Sequence, residues 1–171
     1  MGSTRLPGKV MEKIHGIPSI GIILKRLKKT KEADEVVVAT SKKKENGILL
    51  KYLKKIKANY FCGSEDNVIN RFYKTAKKYK ATIIVRITGD CPLIDVKIVD
   101  SFIRKFKKKK PDYLSNCLPW TYPDGLSVEV FSFALIKKVE KKATKKQRQN
   151  GGVIISYLVD NPNSINSINI N

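Results

Sequence analysis

Two kinds of apolar pattern alternate along the chain. Short runs rich in β-branched residues predict buried strands at 35–40, 60–62 and 82–87, and an alternating run at 127–131 predicts a strand with one wet face. Apolar residues three and four positions apart predict five amphipathic helices before, between and after these strands. Their apolar positions are Ile20, Ile23, Leu24 and Leu27; Leu49, Leu53 and Ile56; Ile69, Phe72, Tyr73 and Ala76; Val99, Phe102, Ile103 and Phe106; and Leu135, Ile136 and Val139. Strands that alternate with helices in this way predict βαβ units, and hence an α/β domain with a mainly parallel sheet.

Small polar residues mark the starts of several predicted helices. Ser64 or Asp66 precedes the third helix, Asp95 the fourth and Ser132 the fifth. Each of these side chains offers an oxygen to an unpaired backbone N–H of the first helical turn, so we expect N-caps there. His15 stands before Gly-Ile-Pro, a sequence that predicts a turn into the first helix rather than a catalytic role.

The pattern becomes ambiguous towards the end of the chain. The Gly-Gly pair at 151–152 interrupts it, and the residues beyond Asn161 are polar and low in sequence complexity. We therefore expect residues 1–147 to form one domain and residues 148–171 to form a degenerate or disordered tail.

Charge is the most unusual feature of the composition. The 171 residues carry 35 Lys and Arg against 15 Asp and Glu, a formal net charge of +20. Six of these cations are arginine, although phosphate and base recognition favours the arginine fork. Lysine, isoleucine and asparagine share A/T-rich codons, so a biased genome accounts for the charge better than nucleic-acid binding does. We expect no specific nucleic-acid partner, and a basic module that binds RNA or an anionic surface is the alternative.

The cysteines and the histidine argue against a zinc site. The three cysteines, Cys62, Cys91 and Cys117, share no metal-ligand spacing, and the chain has a single histidine. Cysteines of this kind fit a reducing compartment. No apolar run reaches the length of a membrane span, and the first residues lack the apolar core of a signal peptide. We expect a cytoplasmic protein with no membrane partner.

The first nine residues suit an anion. Gly2, Ser3 and Gly8 leave backbone N–H groups free to form an anion-binding concavity, and Arg5 and Lys9 add positive charge. The segment is not a Walker A loop, because its glycines are one residue too far apart and it lacks the Ser or Thr that binds Mg²⁺. Such a loop predicts polyphosphate binding, with a flexible N-terminus as the alternative.

A second candidate lies after the strongest predicted strand. Asp90 follows the strand at 82–87 through Thr88-Gly89 and precedes Cys91-Pro92. Open α/β sheets bind their ligands at the carboxyl ends of their strands, and a carboxylate oxygen is a ligand that Mg²⁺ prefers. The segment predicts a magnesium–nucleotide site, with a role of Asp90 in the turn alone as the alternative.

The two segments together make the chain recognisable. Residues 2–9, GSTRLPGK, and 86–95, RITGDCPLID, resemble the cytidylyltransferase family of CMP-sugar synthetases, closest to its spore coat polysaccharide biosynthesis branch. The resemblance continues through 38–40, 63–73 and 122–131 in order and at compatible spacing. It implies a Rossmann-like nucleotidyltransferase fold, a three-layer α/β/α sandwich. The implied enzyme uses CTP and Mg²⁺: a sugar oxygen attacks the α-phosphorus of CTP, and pyrophosphate leaves. The implied role is in surface or coat polysaccharide biosynthesis. Family members often form homodimers, so a homodimer is a candidate state.

The resemblance also assigns site residues. Those implied to bind the nucleotide are Gly2, Ser3, Arg5, Lys9, Thr40, Ser41, Arg71, Thr88 and Gly89. Catalysis is assigned to Arg5, Lys9 and Asp90, with Asp90 as the Mg²⁺ ligand. The residues implied to border the acceptor sugar are Tyr122, Asp124 and Glu129. From the strand pattern alone, the carboxylate of Glu129 is expected on the solvated face.

Three departures from the family pattern bear on activity. Relatives begin with a hydrophobic strand and an arginine ahead of the phosphate loop, so we expect the domain to lack its first strand and to be incomplete at its N-terminus. Ser127 stands where relatives carry aspartate. Residues 148–152, RQNGG, replace an Arg-Glu-His stretch. An inactive, truncated remnant of such an enzyme is therefore an alternative to an active enzyme.

Overall fold

Helices and strands alternate through most of the chain. A computed structural model describes residues 6–149 and 152–171. The strands are β1 (Lys13–Ile14), β2 (Ile17–Pro18), β3 (Val37–Ser41), β4 (Asn59–Gly63), β5 (Ile83–Arg86), β6 (Tyr113–Ser115), β7 (Glu129–Ser132) and β8 (Ser167–Asn169). The helices are α1 (Ser19–Leu27), α2 (Gly47–Lys55), α3 (Val68–Lys78), α4 (Val96–Lys109), α5 (Phe133–Lys142), α6 (Lys145–Gln149) and α7 (Ile155–Asp160). Short 3₁₀ turns occur at Lys9–Met11, Lys44–Asn46 and Pro162–Ser164.

The strands pair in three groups. β1 and β2 form a small antiparallel hairpin, and β3 pairs with β4 in parallel. The third group has the order β5-β7-β6-β8, in which β7 is antiparallel to both neighbours and β6 is parallel to β8. The predicted α/β fold is confirmed, and the antiparallel β7 makes its sheet mixed.

The apolar core lies on both faces of the strands. Neighbouring residues of β7 point to opposite faces, so Val130 belongs to the core cluster that includes α1 and α4, while Phe131 belongs to the one that includes α5 and α7. In β6, Leu114 lies on the same face as Val130 and Tyr113 on the same face as Phe131. The result is a three-layer α/β/α arrangement. Among the described residues, no helix is both long enough and apolar enough to cross a bilayer.

The predicted helix starts are confirmed at two of three places. The side chain of Asp95 accepts from the N–H of Lys97, and the Ser132 hydroxyl accepts from the N–H of Leu135 at 3.0 Å. At α3 neither predicted residue is the cap. The N-cap is Asn67, whose side chain accepts from the N–H of Asn70 at 2.9 Å. Ser64 instead accepts from the N–H of Asn67, and so shapes the turn before the helix.

His15 lies in the turn of the β1–β2 hairpin, as predicted. It and Gly16 have φ of 47° and 78°, the left-handed values that a tight two-residue hairpin turn requires. Its side chain is exposed.

The prediction of a disordered tail is wrong for residues 152–171. α7 and β8 lie in this segment, and β8 hydrogen-bonds to β6. Val153 and Ile154 are 0% exposed, and Ile165 is also buried. The apolar run at 153–159 fits either a strand or a helix by its sequence, and Ile165 stands alone among polar residues. In the structure these side chains join the core cluster that contains residues of α5 and β6.

A gap separates β3 from β5. No described strand lies between them, and two cavities of about 420 and 200 Å³ occupy the space. Both are lined by Val37 and Ala39 of β3, by Val85 of β5 and by Phe72 of α3. The gap is thus an apolar opening at the level of the sheet, between helices above and below. The absence of a first strand, expected from the family resemblance, stays a prediction.

The ordered tail gives the first testable prediction. Replacing Ile154 with Ala should lower the free energy of unfolding by about 2–5 kcal/mol, because it removes a fully buried side chain and leaves a cavity. Val159→Ala is the matched control: Val159 is 58% exposed and should change stability little. Denaturant unfolding of both variants measures the difference. Equal stabilities would show that the tail does not pack as described.

Candidate functional site

The loop after β5 brings two distant segments together. β5 ends at Arg86, and residues 88–91 then form a turn in which the N–H of Cys91 donates to the carbonyl of Thr88 at 3.4 Å. Asp90 lies in this turn. Its carboxylate forms an ion pair and a hydrogen bond with the Nζ of Lys9, 81 residues earlier in the chain.

The backbone around Lys9 explains how it reaches the loop. Gly8 has φ of 77°, a value that favours glycine, and its carbonyl accepts from the N–H of Met11 at 2.7 Å. The following turn places Val10 against Gly89, where a Cβ added at Gly89 would lie 3.3 Å from Val10 Cγ1. A small residue at 89 therefore lets the two segments approach closely.

The charge of Asp90 is stabilised by this arrangement. Partial burial raises the pKa of its carboxyl, but hydrogen bonds from Lys9 and Thr88 and the positive charge of Lys9 outweigh that effect. The pKa of Asp90 therefore lies below its ordinary value, and the group is an anion at neutral pH.

A cavity of about 290 Å³, here called the β3 cavity, lies at the carboxyl end of β3. It is lined by Val10, Ile20, Val38, Ala39, Thr40, Ser41, Asn46, Leu49, Glu65, Arg71 and Gly89. Thr40 and Ser41 are buried, and the side-chain amide of Asn46 donates to the hydroxyl of Ser41 at 2.6 Å and to its carbonyl at 3.1 Å. Polar groups held in this way on an apolar wall are typical of a pocket for a small molecule.

Arg71 forms one wall of the β3 cavity. Gly63 makes room for it, because a Cβ at position 63 would lie 2.7 Å from Arg71 Cγ. The guanidinium Nη1 donates to the carbonyl of Ser64 at 2.5 Å, while the buried Nε has no hydrogen-bond partner among the described residues. Burial lowers the pKa of Arg71, and the charge of Glu65 opposes that effect. An unpartnered buried donor beside a cavity is a group that a ligand can satisfy.

A second and larger cavity, about 530 Å³, is lined by Thr88 and Asp90 of the same loop and is here called the β5 cavity. Its lining residues are Arg86, Thr88, Asp90, Cys91, Pro92, Leu93, Cys117, Trp120, Asp124, Gly125, Ser127, Glu129, Gly152 and Ile155. The loop after β5 thus contributes Gly89 to one cavity and Asp90 to the other.

Glu129 is buried at the base of the β5 cavity, contrary to the solvated position expected from the strand pattern. It is 2% exposed, forms an ion pair with Arg86 of β5 and accepts from the hydroxyl of Tyr113 of β6 at 3.0 Å. Burial and the negative charge of Glu129 raise the pKa of the nearby Cys117 to about 11, so this thiol is uncharged at neutral pH. The contacts of Glu129 with Arg86 and Tyr113 join β7 to β5 and β6.

The structure gathers most of the predicted site residues into these two cavities. The β3 cavity holds Thr40, Ser41, Arg71 and Gly89, and the β5 cavity holds Thr88, Asp90, Asp124 and Glu129. Tyr122 does not line the β5 cavity, because its ring packs edge-on against Phe102 of the core at 6.1 Å between centroids. Gly2, Ser3 and Arg5 lie outside the described residues.

Sequence reasoning missed three residues at the site. Arg86 and Trp120 line the β5 cavity and Asn46 the β3 cavity. An arginine at the end of a buried strand, just before Gly-Asp, was a signal for the first. The burial of Asn46 and the exposure of Trp120 depend on tertiary packing, so no pattern in the neighbouring sequence indicates them.

The donor set can be tested against Mg²⁺. The described residues contain no cluster of three or more His, Cys, Asp or Glu that could hold a metal ion alone. Mg²⁺ bound with nucleotide phosphates needs only one or two carboxylates, since phosphates and waters complete its shell. Asp90, partly exposed and anionic, meets that requirement. Glu129 does not, because its side chain is 3% exposed and is enclosed by Arg86 and Tyr113.

Comparison with known proteins identifies a family. Residues 1–167 match the protein family described as Cytidylyltransferase. The chain is 39% identical over 165 residues to MJ1063, an uncharacterized protein of Methanocaldococcus jannaschii, covering 95% of this chain and 65% of that protein. It is 36% identical over 117 residues to the spore coat polysaccharide biosynthesis protein SpsF of Bacillus subtilis, covering 66% of this chain and 49% of SpsF. The chain therefore spans less than two thirds of the length of these two relatives.

A solved structure supports the same relationship. The structure of a cytidylyltransferase from Leptospira borgpetersenii superposes with a TM-score of 0.92 at 34% sequence identity. The alignment covers 99% of this chain and 71% of that one. The likeness therefore extends over nearly the whole chain.

The buried ion pair gives the second prediction. Glu129→Gln should destabilise the fold by about 3–5 kcal/mol, because it leaves the charge of Arg86 partly buried without its anion. Glu32→Gln is the control, since Glu32 pairs with Lys107 at the surface and should matter little. Thermal and denaturant unfolding compare the two. A Glu129→Gln variant as stable as the control would show that the pair does not hold the strands together.

Proposed function

Because this chain belongs to the cytidylyltransferase family, we propose that it transfers the CMP group of CTP to an oxygen of an acceptor sugar. The observation that carries the proposal is the contact between Lys9 and Asp90, made in a loop whose residues line two separate cavities. Nucleotidyl transfer needs a nucleotide and an acceptor held on either side of one phosphorus atom, with charge stabilisation at that point.

The β3 cavity suits the nucleoside. Thr40 and Ser41 offer hydroxyl groups on its wall, and Arg71 offers the unpartnered Nε donor. A site whose buried polar groups need partners discriminates strongly between ligands, because a wrong ligand leaves those groups unpaired. These groups support selective binding of one base and its ribose.

The loop between the cavities suits the phosphates. Lys9 supplies a positive charge where the departing pyrophosphate would develop negative charge. Asp90 would hold Mg²⁺, which when bound polarises the phosphoryl oxygens and neutralises their charge. Asp90 then has a second role, because its ion pair fixes the direction of the Lys9 side chain before the nucleotide binds.

The β5 cavity suits the acceptor. A sugar oxygen there forms a bond to the α-phosphorus of CTP while the bond from that phosphorus to the bridging oxygen breaks. Pyrophosphate leaves with the electron pair, and the proton of the sugar hydroxyl passes to water. The similarity to SpsF supports a role in the biosynthesis of a polysaccharide.

Nucleotide selectivity gives the third prediction. In a thermal-shift panel with Mg²⁺ and CTP, UTP, ATP or GTP, CTP should stabilise the protein most, by about 2.7 kcal/mol at 100 times its Kd. Asp90→Asn should remove most of that gain, because it removes the carboxylate that would hold the metal and orient Lys9.

Asp34→Asn is the control for charge alone. Asp34 is an exposed carboxylate that lines the gap between β3 and β5 and neither cavity of the candidate site. It should respond to CTP as the unmodified protein does. Equal thermal shifts with all four nucleotides would indicate non-specific attraction between the net charge of +20 and the phosphates, and would overturn the proposal.

Arg71 gives the fourth prediction. Arg71→Lys keeps the positive charge but removes the Nε donor, and should weaken CTP binding by roughly tenfold, which equals about 1.4 kcal/mol. Arg104→Lys is the matched control, because Arg104 is exposed on α4 and pairs with Glu32. Calorimetric titration of each variant with CTP and Mg²⁺ gives the dissociation constants. An unchanged dissociation constant of CTP for Arg71→Lys would show that Arg71 does not contribute to the nucleotide site.

A further inference from the structure

A carboxylate lies on the wall of the β3 cavity. Glu65 stands two residues after the end of β4 and lines this cavity together with Ser41 and Arg71. Its side chain is 31% exposed, so it is partly enclosed and still open to a ligand. Like charges repel, so a carboxylate on this wall is not a partner for the phosphates of a nucleotide. Its partner must be a hydrogen-bond donor elsewhere on the ligand.

A short chain of hydrogen bonds orients Glu65. The side-chain amide of Asn46 donates to the hydroxyl oxygen of Ser41 at 2.6 Å, which leaves the hydroxyl proton of Ser41 for another acceptor. That acceptor is the carboxylate of Glu65, and this hydrogen bond lowers the pKa of Glu65. The charges of Lys43 and Arg71 act in the same direction, while burial opposes them. Glu65 is therefore an oriented anion at neutral pH.

The neighbours of Glu65 leave its carboxylate able to accept further hydrogen bonds. An ionised carboxylate has about four lone-pair sites, and the hydroxyl of Ser41 uses one of them. The Nζ of Lys43 lies 3.8 Å from Oε1 of Glu65, which is beyond hydrogen-bond distance, and this lysine side chain is 51% exposed. The ion pair therefore tunes the charge of Glu65 without occupying an acceptor position.

The same wall carries an unpartnered donor. The buried Nε of Arg71 has no hydrogen-bond partner among the described residues, and Glu65 and Arg71 are close enough for each to shift the pKa of the other. The wall thus offers an acceptor and a donor near one another. Cytosine presents the reverse pair on one edge, because its 4-amino group donates and its N3 and O2 accept. Uracil carries the acceptor O4 in place of that amino group.

We propose that Glu65 selects cytosine over uracil by accepting a hydrogen bond from the 4-amino group of the base. The inference rests on the proposed function, because it names the residue that distinguishes the base of the nucleotide. Repulsion keeps the triphosphate away from Glu65, so the carboxylate faces the nucleoside part of the ligand. Uracil in the same position turns O4 towards the carboxylate. A site built to hydrogen-bond one group of a ligand strongly rejects an analogue that lacks it.

Titration calorimetry of the full chain with CTP and with UTP, each with Mg²⁺, tests the inference. Glu65→Gln keeps the size of the side chain, but its amide can donate to O4 of uracil as well as accept from an amino group. The ratio of the UTP and CTP dissociation constants should therefore fall on the order of tenfold. Asp66→Asn is the matched control, because Asp66 is an exposed neighbouring carboxylate that does not line the β3 cavity. A ratio for Glu65→Gln equal to that of the control would overturn the inference.

A change in the ligand separates this hydrogen bond from a general effect of the substitution on the fold. A CTP analogue with hydrogen in place of the 4-amino group should bind the unmodified protein more weakly than CTP does, on the order of tenfold. For Glu65→Ala the analogue and CTP should bind alike, because the acceptor is already absent. An equal loss in both proteins would show that the amino group does not contact Glu65, and would overturn the inference.

The ribose hydroxyl groups are also donors, and 2′-deoxy-CTP distinguishes them from the base. If Glu65→Gln weakens CTP but not 2′-deoxy-CTP and leaves the ratio of UTP to CTP unchanged, Glu65 contacts the ribose and the inference is overturned. Selective CTP binding that Glu65→Gln leaves intact overturns the inference and leaves the proposed function standing. The absence of selective CTP binding by the unmodified protein overturns the proposed function itself.

Discussion

A carboxylate buried among three strands sets the shape of the candidate site of this protein. Glu129 of β7 lies in register with Arg86 of β5 on one side and Ser115 of β6 on the other, and it bonds to Arg86 and to Tyr113. A buried charge is costly unless its partners satisfy it, so a slip in strand register would leave Glu129 unpaired. The pairing therefore fixes where β5 ends and where the loop after it begins.

The site follows from that fixed end. The loop at 88–90 starts two residues after Arg86, and its carboxylate then meets Lys9, whose position depends on the left-handed turn at Gly8. The two cavities share this loop as a common wall. Precise placement of reacting groups accounts for much of the rate in group-transfer reactions. In the proposed function that placement would depend on backbone turns and on the ion pair between Lys9 and Asp90.

Much of this could be predicted from the sequence, for identifiable reasons. Strands β3 and β5 and helices α1 to α5 have strong apolar periods, and Asp95 and Ser132 are caps that act locally. β6 and β8 were missed because three residues are too few to show alternation. Glu129 was expected at the solvated face because a strand pattern shows which residues alternate but not that Arg86 and Tyr113 will enclose one of them. Tyr122 was expected at the acceptor site, whereas its ring belongs to the core beside Phe102.

The gap between β3 and β5 divides the sheet into two parts that are not joined by described backbone hydrogen bonds. One part carries Thr40, Ser41 and, through α3, Arg71, and the other carries the Asp90 loop. A nucleotide that reaches from one to the other would act as a brace across the gap. Part of its binding free energy would then reduce the relative motion of the two parts of the sheet. Nucleotide binding and a rigid sheet would each favour the other.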